Sequence, residues 1–109
     1  MGTRPMGIKL TTASQLFDNH LAAASRGNAD AYFELGVAFS TGTDGCEVNM
    51  IEAHKWFNLA ALSGVREGSL LRAEVAAEMD REEIAEAQRQ ARAWIAAMSG
   101  GSASVRTAA

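Results

Sequence analysis

The pentapeptide Ala23-Ala24-Ser25-Arg26-Gly27 returns as Ala60-Ala61-Leu62-Ser63-Gly64, and this constant offset of 37 residues (23 to 60, 27 to 64) decides the fold. A fixed period of this length is typical of stacked helical hairpins. The paired alanines let neighbouring helices approach closely. The glycine ends a helix, because it adopts the left-handed conformation without a Cβ clash. We therefore predict an all-α chain built of antiparallel helical hairpins.

Five segments of the chain show the three-and-four spacing of apolar residues that marks a helix face. The predicted helices span residues 12–25, 29–41, 50–63, 66–79 and 80–98. Asn28 and Asn49 suit helix N-caps, and Asp80 with Glu83 forms a box-like pair at the last helix. We expect a loose leader over residues 1–10, one helical domain over 11–98 that ends in a capping helix over 80–98, and a disordered tail over 99–109.

The composition restricts the classes of protein that fit this chain. Its 109 residues suffice for one domain with a modest core. The net charge of −3 argues against a nucleic-acid partner, for which a basic stripe is expected. The single cysteine, Cys46, excludes an intrachain disulfide, and neither a signal peptide nor an apolar membrane span is recognisable. We expect a cytoplasmic protein that binds neither nucleic acid nor membrane.

The most specific pattern lies in residues 28–64, where alanine, aromatic and glycine positions recur over two helices. These positions are Ala31, Leu35, Gly36, Phe39, Gly42, Ala53, Trp56, Ala60, Ala61 and Gly64, and residues 52–57 (Glu-Ala-His-Lys-Trp-Phe) are the most specific part. The pattern resembles the Sel1-like repeat family, which is related to the tetratricopeptide repeats. Residues 84–94 resemble the terminal helix of its small bacterial members. The resemblance implies antiparallel helix pairs in a right-handed superhelix and use as a protein–protein interaction adaptor without catalysis.

The resemblance weakens outside this segment. Asn19 stands where a counterpart of Trp56 is expected, and Arg72 and Ala73 replace the Leu-Gly pair in the fourth helix. Family members outside the cytoplasm commonly pair cysteines within each repeat, and this chain has no such pair. About three repeats are usually needed for stability, and this chain has roughly one and a half. We therefore expect the last helix to cap the stack or a second copy of the chain to extend it.

The resemblance also implies a binding groove, because the first helix of each tetratricopeptide-like pair lines the concave surface. The candidate partner-binding residues are Asp30, Phe33, Val37 and Ser40 on the second helix and, 37 residues further on, Glu67, Leu70 and Glu74 on the fourth. An apolar floor with acidic residues suits a basic amphipathic helix or an extended peptide. The alternative is that Phe33 and Leu70 pack into the core.

The last helix offers a second candidate surface. Trp94, with Ile95 and Met98, has two interpretations. These side chains could anchor a partner or a second copy of the chain. Alternatively, they could pack the capping helix into the core. A homo-oligomeric assembly protein that uses the ends of the stack or this helix is therefore an alternative function.

Catalytic and metal-binding patterns are weak. His20, His54 and Cys46 are the conventional soft metal ligands, but no pair of them has short ligand spacing. The carboxylates of Asp44 and Glu47 are expected to raise the pKa of the Cys46 thiol and so suppress the thiolate. No combination of nucleophile, base and orienting residue can be assembled. We expect no enzymatic activity, metal or cofactor, and a small metal-binding protein or enzyme is the last alternative.

Overall fold

The computed structural model describes residues 12–108, with side chains over residues 12–99. Its helices are α1 (Ala13–Ala24), α2 (Ala29–Thr41), α3 (Met50–Leu62), α4 (Arg66–Ala76) and α5 (Arg81–Ala108). This part of the chain contains no strand, so the predicted all-α class with five helices is confirmed.

Local capping sets the helix ends, as the sequence predicts. The side chains of Asn28 and Asn49 each accept a hydrogen bond from the backbone N–H three residues later. Asp80 and Glu83 accept from each other's backbone N–H groups at 2.8 and 2.9 Å, which completes a capping box before α5. Gly42 ends α2 in the left-handed conformation, with φ of 76°.

Helix α3 is central, because it packs against α2, α4 and α5, while α1 packs mainly against α2. The first helices are antiparallel neighbours. Phe17 near the start of α1 meets Phe39 near the end of α2, with ring centroids 5.8 Å apart. Tyr32, early in α2, stacks on Trp56, in the middle of α3, at the same centroid separation of 5.8 Å.

The core consists of two apolar clusters that share α3. One joins α1, α2, α3 and α5 around Trp56 and includes Leu35 and Ala91. The other joins α2, α3 and α4 around Phe57 and includes Val75. Because successive residues of a helix point about 100° apart, neighbouring positions on α3 reach the two clusters separately.

Two helix ends differ from the expected ones. Helix α4 ends at Ala76 rather than at residue 79, and α5 continues to Ala108 where a disordered tail is expected from residue 99. Extending an existing helix needs no new nucleation, which favours this continuation, whereas the low helix propensity of Gly100 and Gly101 opposes it. The expected leader over residues 1–10 lies outside the described residues.

Candidate partner-binding groove

A groove opens between α2 and α4, and α3 forms its floor. Its volume is about 190 Å³. The lining residues come from the three helices and from the turn after α4, and are Ser40, Met50, Phe57, Leu71, Glu74, Val75 and Glu78. Apolar side chains therefore form the base of the groove, and the carboxylates of Glu74 and Glu78 stand at its edge.

Phe57 is the fixed centre of the floor. Its side chain is only 1% exposed, and its ring centroid lies 5.6 Å from that of Phe33. Gly36 permits this packing, because a Cβ at that position would lie 2.5 Å from the Phe57 ring. Val75 of α4 belongs to the same cluster. The floor is thus held by contacts within the chain and does not depend on a partner.

The edge of the groove is acidic. Glu74 lies on α4 and Glu78 in the turn that follows the helix, and both are exposed. On the opposite side, the Ser40 hydroxyl donates a hydrogen bond to the Val37 carbonyl at 3.1 Å, so it is satisfied within α2. All the other lining residues are uncharged. This arrangement produces a negative potential that favours a cationic partner.

Four of the seven predicted partner-binding residues lie at or beneath this groove. Ser40 and Glu74 line it. Phe33 and Val37 are half-buried and pack against the cluster around Phe57, so they support the floor from below. For Phe33, the structure therefore agrees with the alternative that this side chain packs into the core.

The other three predicted residues lie elsewhere. Leu70 is 66% exposed and lines a different surface, beside Gly64 and Val65. Asp30 and Glu67 are exposed and do not line the groove. Leu70 therefore does not line the groove between α2 and α4, and its exposure contradicts the alternative that it packs into the core.

The number of covering helices explains this difference: α2 packs against both α1 and α3, but α4 packs closely against α3 alone, so the face that carries Leu70 is left uncovered. Gly68 of α4 lies directly on the α3 backbone, because a Cβ there would sit 2.8 Å from the Phe57 carbonyl oxygen. With Gly68 and Val75 turned inward, Leu71 enters the groove instead of Leu70. Gly68 and Val75 are the counterparts of Ala31 and Ala38 at the 37-residue offset, and all four are buried, so the inward face of α4 keeps the same register. The spacing of Leu71, Val75 and Met79 is the sequence signal that could have located the inward face of α4.

A buried polar cluster lies between α3 and α4. His54 is 3% exposed, and its Nδ1 has no hydrogen-bond partner among the described residues. Arg72 of α4 donates a hydrogen bond to the side-chain oxygen of Asn58. Burial, and secondarily the charge of Arg72, lowers the pKa of His54. The imidazole is therefore neutral at pH 7, and its protonation opposes folding.

We expect the fold to lose stability on mild acidification because of His54. The pKa of His54 is lower in the folded chain than the ordinary histidine pKa of about 6.5. Below about pH 6.5 the unfolded chain therefore binds more protons at His54 than the folded chain does. The contribution of neutral His54 is fully present above about pH 6.5 and falls as the pH drops from there towards the lowered folded pKa. Urea midpoints at about pH 7.5 and about pH 5.5 measure the fall. His54→Leu should reduce it, and an undiminished fall in this variant would contradict the assignment.

The other candidate ligands lie on α1 and in the loop between α2 and α3. His20 Nε2 lies 3.9 Å from Asp44 Oδ2. Burial first, and then the carboxylates of Asp44 and Glu52, raises the pKa of the half-buried Cys46 thiol. The predicted direction and the role of Asp44 are confirmed, while Glu52 acts in place of Glu47. Within the described residues, no three side chains of the His, Cys, Asp and Glu types are grouped to hold a metal ion.

The aromatic residue of α5 belongs to the core. Trp94 is half-buried, meets Trp56 edge-on with centroids 4.9 Å apart, and donates a hydrogen bond to the Tyr32 hydroxyl at 3.1 Å. Core packing is therefore what Trp94 does within the chain. Ile95 and Met98, by contrast, remain 43% and 41% exposed.

No protein-family model, no curated protein and no solved structure matches this chain. Over residues 12–108, none of the helices combines the length and the apolar character that crossing a bilayer requires. The geometry of the groove is therefore the main basis for an assignment of function.

Proposed function

We propose that this protein is a non-catalytic interaction module that binds a basic, amphipathic segment of a partner protein in the groove between α2 and α4. One observation carries the proposal: Glu74 and Glu78 stand beside an apolar floor whose other lining residues are uncharged. A helical segment can place its apolar side chains, spaced three and four residues apart, on such a floor while its Lys or Arg residues face the two carboxylates.

The size of the groove favours side chains over a small molecule. Its volume of about 190 Å³ is below the roughly 300 Å³ at which ligand pockets usually begin. A few apolar side chains of a longer segment fit this space, and the rest of the segment lies along α2 and α4. Binding energy then comes from a small apolar contact and from ion pairs at the edge.

The resemblance of residues 28–64 to Sel1-like repeats supports the same proposal, because that family serves as protein–protein adaptors. We also propose a cytoplasmic location, which rests on the lone Cys46 where family members outside the cytoplasm pair cysteines.

The charge of the groove edge provides the test. We expect a fluorescently labelled helical peptide of leucine and lysine to bind, and its counterpart with glutamate in place of lysine to bind about 2- to 30-fold more weakly, because each of the two ion pairs at such an exposed edge contributes roughly 0.2–1 kcal/mol. The Glu74→Lys/Glu78→Lys variant should reverse this preference. Fluorescence anisotropy measures both affinities.

A matched control separates the groove from the net charge of the molecule. Glu47→Lys/Glu82→Lys makes the same change in net charge at two exposed positions outside the groove. This control should keep the preference for the lysine peptide. Equal binding of both peptides to the unmodified chain, or the same reversal in the control, would exclude the groove as a basic-peptide site.

A further inference from the structure

An apolar surface outside the groove lies where the end of α3 meets α5, and we call it the terminal patch (Leu59, Leu62, Trp94, Ile95 and Met98). These side chains line a concavity of about 320 Å³. Leu62 is 65% exposed, Ile95 43% and Met98 41%. Single exposed apolar residues are ordinary, but three that converge on one concavity indicate a contact surface.

The base of the terminal patch is preformed. Leu59 is buried in the cluster around Trp56. Trp94 is held by its hydrogen bond to Tyr32 and by its edge-on contact with Trp56. A partner therefore meets a surface that needs little ordering, which reduces the entropic cost of association.

Charge indicates what covers the terminal patch. All the residues that line it are uncharged, although the chain carries 10 basic and 13 acidic residues. A charged partner finds no complementary group here. Two copies of an acidic chain, in contrast, meet at this patch without placing like charges opposite each other. The same patch on a second copy supplies an uncharged, mainly apolar surface of this kind.

We propose that the terminal patch is a two-fold symmetric dimer interface. Leu62, Ile95 and Met98 of one copy pack against the same residues of the other, as a self-complementary interface requires. A few exposed apolar side chains bury less than the roughly 800 Å² per partner of a standard interface, so the dimer is weak. The Trp56 side of α3 carries this patch and the Phe57 side carries the groove, so dimerisation leaves the groove open.

Sedimentation velocity on the full chain tests the proposal. Between about 5 and about 500 µM, a range suited to a weak and small interface, the mass should rise from 11.5 kDa towards about 23 kDa. Leu62→Glu should raise the dissociation constant at least about tenfold, because it places a charge in the interface of both copies. Circular dichroism should show an unchanged helix content, since Leu62 is exposed.

Leu70→Glu is the matched control, because Leu70 is 66% exposed and lies outside the terminal patch. It should leave the dissociation constant unchanged, and Met98→Glu should repeat the effect of Leu62→Glu. A monomer mass at the highest concentration overturns the proposal. A dimer that persists in both patch variants, Leu62→Glu and Met98→Glu, also overturns it. So does a dimer that is lost in the Leu70→Glu variant. None of these outcomes bears on peptide binding in the groove.

Discussion

Trp56→Ala is expected to lower the free energy of unfolding by about 3–5 kcal/mol, the range for removing a buried tryptophan. The side chain is 3% exposed, stacks on Tyr32 and meets Trp94 edge-on, so it joins α2, α3 and α5. Its Nε1 also donates a hydrogen bond to Glu52 at 3.0 Å. Because a domain of this size has a total stability of roughly 5–15 kcal/mol, the loss is a large fraction of the whole.

Urea unfolding followed by circular dichroism measures this loss. Trp56→Phe is the graded control: it keeps an aromatic ring on Tyr32 but loses the hydrogen bond to Glu52 and some buried area, which costs about 1–2 kcal/mol. We expect the urea midpoint to be highest for the wild type, lower for Trp56→Phe and lowest for Trp56→Ala. A Trp56→Ala midpoint within error of the wild type would contradict the central role of this side chain.

Gly68→Ala is the second large effect, and the two physical principles that apply to it predict opposite signs. Alanine should stabilise a helix interior by about 1 kcal/mol relative to glycine. The added Cβ, however, would lie 2.8 Å from the Phe57 carbonyl oxygen, 2.9 Å from the Ala61 nitrogen and 3.1 Å from the Ala60 Cβ. These contacts are mainly with backbone that cannot rotate away, so α4 must move off α3.

We expect packing to win, with a net loss of about 1–3 kcal/mol, because overpacking against backbone lies at the upper end of its usual cost. The displacement also carries Leu71 and Val75 away from the groove, so peptide binding should weaken together with stability. Ser69→Ala is the matched control, since Ser69 is the exposed neighbour on the same helix and should change the urea midpoint little. A Gly68→Ala variant that is more stable than the wild type would show that the two helices are not in close contact.

The parts of the fold that depend on local chemistry could be predicted from the sequence. Asn28, Asn49 and the Asp80–Glu83 pair act over three residues of chain, so their capping roles are readable without tertiary information. The helix boundaries at these caps follow from the same interactions. The all-α class follows from the periodicity and the glycine positions.

The groove could be predicted only in part, because which faces of a helix are covered depends on the tertiary arrangement. The 37-residue offset locates the inward face of α4, since Gly68 and Val75 are buried like their counterparts on α2. It also makes Leu70 the counterpart of Phe33, which packs on Phe57. Helix α4 packs closely against α3 alone, so Leu70 stays exposed and Leu71 lines the groove. The burial of His54 could likewise not be predicted from the spacing of apolar residues, because it depends on α4 covering this side of α3.

The central position of α3 has a consequence for how the chain can be divided. The motif in residues 28–64 looks like a separable module, but one face of α3 is completed by α5 and another by α4. An excised segment would expose Trp56 on one side and Phe57 on the other, each without half of its neighbours. The unit that recurs in the sequence is therefore smaller than the unit that shares a core, which draws on all five helices through the two clusters on α3.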